Sequence, residues 1–436
     1  MRAALHNLGC KVNAYETEAM QQLLEAAGYE IVPFEETADV YVINTCSVTN
    51  IADRKSRQML HRAKTMNPDA VVVAAGCYVQ AAGEALLEDA AVDLIIGNNQ
   101  KNELVGILEH YFADQNANEA LLDIAKTNEY ESLSISRTAE HTRAFIKVQD
   151  GCNQFCSYCI IPYTRGRVRS RGLVDVVGEV KALAAAGYRE VVLTGIHLSS
   201  YGVDIKEEKA PHLLELIKAV HEIDGIDRVR LGSLEPRIVT EEFVSELSKL
   251  KKVCPHFHLS LQSGCDATLK RMNRRYTTAE FKAGCDILRK YYDDPAITTD
   301  VIAGFAGETG EEFAQTLDFV REIGFYEMHV FKYSVRKGTR AATMPNQVPE
   351  KVKTERSHRL IELGEQMSEA YRQRKLGKET SLLLEEPLEI DGVSYMTGCT
   401  PEYIKGAVVT EKGAGELVYG RFERFLKDDL LIFVEK

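Results

Sequence analysis

Short apolar runs alternate with amphipathic stretches along most of this chain, and this alternation limits its possible folds more than any other feature. In the first 112 residues the apolar runs lie at 3–8, 40–44, 71–75 and 94–96. Helices are predicted between them at 16–27, 49–65 and 81–87. Strand–helix alternation of this kind is typical of a parallel sheet with helices on both faces. The N-terminal part is therefore predicted to be a doubly wound parallel α/β sheet.

The alternation restarts after a polar stretch, residues 113–140, which has little periodicity and is predicted to be a linker. Six strand candidates follow: Phe145–Val148, Glu190–Leu193, Val229–Leu231, Phe257–Leu261, Thr298–Ile302 and Met328–Phe331. An amphipathic segment follows each of the first five strands. Repeated strand–helix units predict an incomplete (β/α)6 TIM-like barrel over residues 141–370.

The C-terminal part has a different pattern. Residues 350–375 predict a charged, exposed helix. Residues 371–436 contain short β-like runs, at 381–384, 407–409 and 430–434, separated by glycine. Short strands with glycine-rich turns indicate a small antiparallel β-barrel. The predicted domains are thus 1–112, 141–370 and 371–436, with 113–140 as the linker.

Composition excludes several classes of protein. Lys plus Arg is 53 and Asp plus Glu is 65, so the formal net charge of −12 rules out a polycationic nucleic-acid coat, although local basic patches could still bind RNA. No apolar run reaches the roughly 18 residues that a membrane-spanning helix needs. The N-terminus lacks the apolar stretch of a signal peptide. We expect a cytoplasmic protein without a membrane partner.

Ten cysteines in a chain of this kind favour metal or redox chemistry over a disulfide framework. The most specific pattern is Cys152-x3-Cys156-x2-Cys159, directly after the first strand of the middle block. Three thiolates on one short loop can each bind one iron of a cubane cluster, which leaves the fourth iron open. A closed zinc site needs four ligands, and His141 ahead of the loop keeps that alternative open.

Three further cysteines, Cys10, Cys46 and Cys77, each follow a predicted strand and precede a predicted helix. In a parallel sheet all three would lie at the same carboxyl edge, where such folds bind ligands. Helix N-termini nearby would favour thiolates, so a metal site is the preferred interpretation. A single cysteine there is more often a small buried hydrophobe. The remaining cysteines are interpreted as structural: Cys254, Cys265, Cys285 and Cys399.

The loop sequence Asp150-Gly-Cys-Asn-Gln-Phe-Cys-Ser-Tyr-Cys-Ile-Ile-Pro-Tyr163 resembles the radical S-adenosylmethionine signature. Together with the segments around the other three cysteines, essentially the whole chain resembles the methylthiotransferases. The further similar segments are Leu8–Asn13, Asn44–Thr49, Ala75–Cys77, Phe257–Gly264 and Asp300–Phe305. Gly-Cys-Lys-Val-Asn is similar to the branch that acts on N6-threonylcarbamoyladenosine in tRNA, the MtaB type. Ala306 departs from the proline usual in that family.

This resemblance implies two [4Fe-4S] clusters, an auxiliary one on Cys10, Cys46 and Cys77 and a second on the Cys152 loop that binds S-adenosylmethionine. It also implies a C-terminal TRAM domain, a tRNA substrate, and an electron donor such as flavodoxin or ferredoxin. The expected reaction is 2-methylthiolation of N6-threonylcarbamoyladenosine at position 37, with S-adenosylmethionine as methyl donor and as source of the radical that removes hydrogen from C2. The alternatives are isopentenyladenosine or a ribosomal-protein aspartate as substrate, or a non-catalytic iron–sulfur or zinc RNA-binding protein.

Contacts to S-adenosylmethionine are expected from residues in the cluster loop or at the ends of successive strands: Tyr158, Gly195, Ser233, Gln262 and Gly304. For the two glycines a role in turns is an equal alternative.

Two basic patches are candidates for contact with RNA phosphate. The first alternates along the chain, so that an extended backbone would place its members on one face: Arg165, Arg167, Arg169 and Arg171. The second follows the fourth strand: Lys270, Arg271, Arg274 and Arg275. C-terminal aromatics are weaker RNA-binding candidates: Tyr395, Tyr403, Tyr419 and Phe422. Solvated surface and core packing are the competing explanations.

Overall fold

The computed structural model, which describes residues 1–114, 121–138, 142–206 and 212–436, opens with a five-stranded parallel sheet. Its strands are β1 (Arg2–Asn7), β2 (Glu30–Ile31), β3 (Val40–Thr45), β4 (Val71–Gly76) and β5 (Leu94–Ile96), in the order β2-β1-β3-β4-β5. Its helices are α1 (Lys11–Ala26), α2 (Asn50–Met66), α3 (Cys77–Ala82) and α4 (Leu104–Ala113). The predicted parallel α/β sheet is confirmed.

Alternating side chains of these strands form two separate cores, one on each face of the sheet. Val40 and Val42 pack with Met20 of α1 and Leu104 of α4. Tyr41, Ile43 and their neighbours pack instead with Leu60 of α2. Because successive side chains of a strand point to opposite faces, helices cover both sides.

The helix predicted at 81–87 is displaced. α3 begins at Cys77 and ends at Ala82, and Gly83–Glu88 forms a 3-10 turn. Gly83 has φ +71°, a left-handed conformation that ends a helix at little cost for glycine.

Six parallel strands form the middle of the molecule, with one short antiparallel strand, β7, added to the first of them. The strands are β6 (Ala144–Asp150), β7 (Arg169–Ser170), β8 (Glu190–Gly195), β9 (Arg228–Leu231), β10 (His256–His258), β11 (Ala296–Ala303) and β12 (Glu327–Lys332). They form the sheets β7-β6-β8-β9 and β10-β11-β12, and the bridge Leu234–Leu259 links the two groups. The helices are α5 (Ile161–Thr164), α6 (Leu173–Ala185), α7 (Leu213–His221), α8 (Glu241–Leu247), α9 (Asp266–Arg271), α10 (Thr278–Tyr291) and α11 (Gly310–Ile323).

One face of these six parallel strands packs against helices, and we call the opposite face the inner face. Val191 and Leu193 of β8 and Val301 of β11 belong to the large helix-packed core. The residues between them in sequence therefore point to the inner face. This face is rich in polar side chains, because it carries Lys147, Glu190, Arg228, Arg230, His256, His258 and Asp300.

A long helix, α12 (Glu350–Lys375), leads into the last strands, and its predicted exposure is wrong for one side. Leu360 and Tyr371 are buried, and so are several cations of this helix, including Arg356. Arg356 donates to Glu308 Oε1 at 2.6 Å. Ion pairs with carboxylates that are distant in sequence allow this charged helix to be half buried.

The last five strands form a closed barrel in the order β13-β14-β15-β17-β16. They are β13 (Glu379–Ile390), β14 (Val393–Cys399), β15 (Lys405–Val408), β16 (Leu417–Lys427) and β17 (Leu430–Glu435). Four of the five strand pairs are antiparallel, as predicted, and β15 pairs with β17 in parallel. Among the described residues, no helix combines the length and apolar character needed to cross a membrane.

Candidate functional site

Three cysteines meet at one edge of the N-terminal sheet. Cys46 and Cys77 directly follow β3 and β4, and Cys10 follows the end of β1 after Leu8 and Gly9; the carboxyl ends of these three strands are neighbours. From β1 the chain continues into α1 on one face, and from β3 into α2 on the other face. Helices that leave to opposite faces open a crevice between neighbouring strands, and ligands of α/β sheets bind in such crevices. The predicted placement at one carboxyl edge is confirmed.

Glycines bring the backbone close to these cysteines. Gly9 has φ +110°, and a Cβ on it would lie 2.9 Å from the Cys46 Cβ. Gly76 has φ +94°, and a Cβ on it would lie 2.5 Å from Asn44 Oδ1. Only glycine fits both the left-handed backbone and the available space, so this crevice is closely shaped around its sulfurs.

Two donors of the protein point at the Cys77 sulfur. Arg165 Nε lies 3.3 Å from Cys77 Sγ, and Asn98 Nδ2 lies 3.5 Å from it. Asn98 also donates to the carbonyl of Thr164, at 2.8 Å. Both donors are placed to hydrogen-bond the Cys77 sulfur. Burial raises the pKa of Cys46 to about 12, and the charge of Cys77 adds to the effect.

The second triplet lies on the loop that follows β6, at the carboxyl end of that strand. Gly151 has φ +69°, and a Cβ on it would lie 1.8 Å from the Arg167 carbonyl oxygen. The Cys152 N–H donates to the Gly166 carbonyl at 3.0 Å. Burial raises the pKa of the Cys152 thiol to about 11. Metal binding at such buried thiols must therefore displace protons.

Other segments anchor this loop. The Ser157 N–H donates to the Met272 carbonyl at 2.9 Å, and the Ala341 N–H donates to the Ser157 carbonyl at 2.7 Å. Arg274 Nη1 lies 3.2 Å from Cys156 Sγ. Each cysteine triplet thus has one arginine on one of its sulfurs.

Neither cysteine triplet has the compact spacing that three ligands of one zinc ion require. With Zn–S bonds of about 2.3 Å, tetrahedral zinc places its sulfur ligands about 3.8 Å apart. Within the described ranges, the only His, Cys, Asp or Glu trio with ligand atoms inside 4.8 Å of one another is His258, Asp300 and His329. Neither cysteine triplet is that compact. His141, the fourth ligand considered for zinc, lies outside the described residues.

A buried ion network joins the two triplets. Glu16 of α1 accepts from Lys147 Nζ at 2.6 Å, Arg165 Nη1 at 2.7 Å and Lys101 Nζ at 2.9 Å. Asp150, two residues before Cys152, is paired with Lys147 at 2.6 Å and with Arg165 at 3.1 Å. Arg165 therefore links the loop of the second triplet to Cys77 of the first. These cations hold the pKa values of both carboxyl groups well below their usual range, despite burial.

The residues expected at S-adenosylmethionine lie on the edge that carries the Cys152 loop. Gly195, Ser233, Gln262 and Gly304 lie at or just after the carboxyl ends of β8, β9, β10 and β11. Both glycines are explained by neighbouring side chains that leave no room for a Cβ. A Cβ on Gly195 would lie 2.8 Å from Gln149 Oε1, and a Cβ on Gly304 would lie 2.5 Å from Lys353 Cγ. Tyr158 packs edge-on against Phe305, with ring centroids 6.3 Å apart. Their contact with S-adenosylmethionine stays a prediction.

The expectation that four alternating arginines share an exposed face is wrong. Arg165, Arg169 and Arg171 are buried, and only Arg167 is exposed. The segment is extended only at its end, in β7, because Arg165 caps the C-terminus of α5 and Gly166 has φ +71°. Arg171 pairs with the buried Glu179. The buried members satisfy carboxylates inside the molecule and cannot reach RNA phosphate in this fold.

In the second basic patch and among the C-terminal aromatics, some residues are exposed and others are paired or buried. Lys270 and Arg275 are exposed, whereas Arg271 pairs with Glu312 at 2.6 Å and Arg274 contacts the cluster loop. Tyr419 is exposed and Tyr395 is half buried, but Phe422 lies in the core of the C-terminal barrel. The ring of Tyr403 lies 4.8 Å from the Arg143 guanidinium and 4.7 Å from that of Arg230.

Sequence reasoning missed the polar trio on the inner face. His258 Nε2 lies 3.4 Å from Asp300 Oδ2, and the rings of His258 and His329 stack with centroids 5.9 Å apart. The signal was present, because each of these residues interrupts an apolar strand at an alternate position.

Residues 2–97 match the uncharacterized protein family UPF0004, and residues 146–320 match the radical SAM superfamily. The chain is 42% identical over 416 residues to the threonylcarbamoyladenosine tRNA methylthiotransferase MtaB of Bacillus subtilis, covering 95% of this chain and 91% of that protein. It is 40% identical to the Aquifex aeolicus protein of that name, covering 88% and 93%. It is 37% identical to the tRNA-2-methylthio-N(6)-dimethylallyladenosine synthase of Moorella thermoacetica, covering 93% and 89%.

Among solved structures, the fold is similar to that of the radical S-adenosylmethionine methyltransferase TsrM from Kitasatospora setae. The TM-score is 0.57 at 15% identity, and the match covers 78% of this chain and 77% of that one. At this identity the similarity concerns the fold alone.

Proposed function

This chain belongs to the radical S-adenosylmethionine methylthiotransferase family, and we propose that it converts N6-threonylcarbamoyladenosine at position 37 of tRNA into its 2-methylthio derivative. The observation that carries the proposal is the pair of cysteine triplets joined through Arg165. Two relatives named for this nucleoside are 42% and 40% identical, whereas two others of that name are 36% identical, similar to the 37% of a relative named for dimethylallyladenosine. Isopentenyladenosine, a ribosomal-protein aspartate and a non-catalytic role are not favoured.

The cofactors are two [4Fe-4S] clusters and S-adenosylmethionine. Cys10, Cys46 and Cys77 would hold one cluster, and the Cys152 loop would hold the other and bind S-adenosylmethionine at its open iron. Bound together, these groups supply the sulfur, the methyl group and a radical able to remove the hydrogen at C2 of the adenine.

The protein's own residues hold the two sites in one assembly and close the space around them. Glu16 and Asp150 fix α1 against β6 through buried ion pairs. At the amino end of the inner strands, Arg230 donates to the carbonyls of Thr400 and Pro401, at 3.1 Å and 2.8 Å. The C-terminal barrel thus covers the end of the inner face that lies opposite the Cys152 loop.

Finer features of the fold belong to the same proposal. The six parallel strands form an incomplete (β/α)6 TIM-like barrel, and the C-terminal barrel is a TRAM domain that helps to bind tRNA. The domains are 1–112, 141–370 and 371–436, with 113–140 as the linker. Flavodoxin or ferredoxin delivers the electron in the cytoplasm, where a reducing environment preserves the clusters.

Nucleoside mass spectrometry of tRNA from a strain that lacks this gene tests the proposed function. We expect the 2-methylthio derivative of N6-threonylcarbamoyladenosine to disappear and unmodified N6-threonylcarbamoyladenosine to accumulate. A plasmid copy should restore the product, and a copy carrying Cys152→Ala should not. Loss of 2-methylthio-isopentenyladenosine instead would assign the enzyme to the other substrate, and unchanged tRNA would exclude both.

Arg165→Lys is expected to lower the reduction potential of the auxiliary cluster, because lysine has no Nε donor to reach Cys77 while its charge is kept. Redox titration followed by EPR measures the potential in the reconstituted protein. The matched control is Arg274→Lys, which removes the corresponding donor from Cys156 and should shift the other cluster. An unchanged potential in the Arg165 variant would contradict a tuning role for the contact.

A further inference from the structure

Arginines line the amino end of the inner face, and each of them interacts with other groups of the protein. Arg230 Nε donates to Glu190 at 2.7 Å, and its other nitrogens donate to carbonyls of the C-terminal barrel. Arg228 donates to Glu190, to the Cys399 carbonyl and to Ser381. Arg143 pairs with Glu385 at 3.2 Å. These cations make the region electropositive while holding the C-terminal barrel in place.

Lys11 is a further cation, and the described residues include no partner for it. It is the first residue of α1 and is exposed, although the next six residues, 12–17, are buried. It forms no hydrogen bond or ion pair with any residue in the described part of the chain. α1 packs on the inner face, because its Glu16 pairs with Lys147 of β6 and the helix also contacts β8. The ammonium at the start of this helix therefore lies beside that face, with three donors that no described group uses.

Acceptors and donors of the polar trio line another part of the same face. His258 and Asp300 lie at inward positions of β10 and β11, and the exposed His329 lies on β12. His258 Nδ1 is 3.0 Å from Thr298 Oγ1, which orients the ring. The inner face therefore offers a cation and several hydrogen-bonding groups, and it is unsuited to a purely hydrocarbon substituent.

The substituent of N6-threonylcarbamoyladenosine matches this arrangement. It carries a carboxylate, a hydroxyl and a urea group, whereas an isopentenyl substituent is a hydrocarbon. Resting on the proposed function, we propose that Lys11 binds the threonyl carboxylate of the substrate and is a specificity-determining residue. Because Lys11 directly follows Cys10, an anion held there would keep the modified adenine beside the first cysteine triplet.

The test compares two anticodon stem-loops that differ in one group. One carries N6-threonylcarbamoyladenosine, and the other carries its amide, in which a neutral carboxamide replaces the carboxylate. Fluorescence anisotropy with the cluster-loaded protein at one fixed salt concentration gives both dissociation constants. A hydrogen-bonded charge pair predicts that the wild type prefers the carboxylate by about tenfold to a hundredfold.

The Lys11→Met variant should bind both stem-loops with the wild-type affinity for the amide, and Lys11→Arg should restore the preference. Lys181→Met, an exposed lysine on α6, is the matched control and should behave as the wild type. Iron content and thermal melting establish that each variant is folded, and Lys11→Gln provides a second neutral side chain.

The proposal is overturned when the wild type binds both stem-loops equally, or when Lys11→Met and Lys11→Gln keep the preference. The proposed function is judged separately, by mass spectrometry of the wild-type product formed on the carboxylate stem-loop. If the wild type forms the product but binds both stem-loops equally, only the proposed carboxylate site is rejected. If it prefers the carboxylate stem-loop but forms no product, only the proposed activity is rejected.

Discussion

Replacing Cys152 with alanine is expected to remove one of the two clusters and to abolish cleavage of S-adenosylmethionine. Two [4Fe-4S] clusters hold about eight irons per chain, and the variant should retain about four. The reason is that two thiolates on the loop cannot hold a cubane with one open iron. Iron analysis after anaerobic reconstitution and chromatography of 5′-deoxyadenosine measure both effects.

Cys285→Ala is the matched control, because Cys285 is buried in the helix-packed core on α10, away from both triplets. We expect it to keep about eight irons and full cleavage, with a stability loss of about 1 kcal/mol. A Cys152→Ala protein that still cleaves S-adenosylmethionine would contradict the assignment of the loop. Equal loss of iron in the control would show that the measurement reports folding instead.

Replacing Glu16 with glutamine is expected to destabilise the protein by about 3–5 kcal/mol, as happens when one partner of a buried ion network is removed. The carboxylate has no exposed surface, and it contacts Lys147, Lys101 and Arg165. The variant leaves these buried cations with too few counter-charges. Denaturant unfolding measured at pH 7 by circular dichroism gives the difference.

The effect depends on pH with a definite sign. The cations hold the folded-state pKa of Glu16 well below 4.5, so its stabilisation is fully present above about pH 4.5 and is lost as the pH falls through the folded value. The difference between wild type and variant should therefore shrink in acid. Glu25→Gln on the same helix removes the charge from a solvent-accessible pair with Arg137 and should cost less than about 1 kcal/mol. Equal losses at the two positions would contradict a buried network.

The sequence predicted the longer apolar strands well, and it predicted very short strands and strands with a polar exposed side poorly. Apolar runs gave the N-terminal strands β1, β3, β4 and β5 and all six parallel strands of the middle part, because apolar side chains packed against helices leave a clear pattern. The two-residue strands β2 and β7 were missed, since two residues carry no periodicity. β14 and β16 were missed because their exposed sides are polar and interrupt the apolar run.

The cysteines of the site could be found from sequence, whereas the arginines beside them were misread. A cysteine that follows a parallel strand lies at the carboxyl edge of the sheet, and this placement does not depend on contacts with distant parts of the chain. Arg165 is buried, where it contacts Glu16, 149 residues earlier, and Cys77, 88 residues earlier. Long-range ion pairs leave no local pattern, so an alternating basic segment looked like surface.

The most direct test of the central claim is an anaerobic reaction of the reconstituted protein with tRNA that carries N6-threonylcarbamoyladenosine, S-adenosylmethionine and a reductant, followed by nucleoside mass spectrometry. We predict formation of the 2-methylthio nucleoside together with 5′-deoxyadenosine by protein that holds about eight irons. Tightly bound zinc, or a full complement of iron with no methylthio product, would contradict the account.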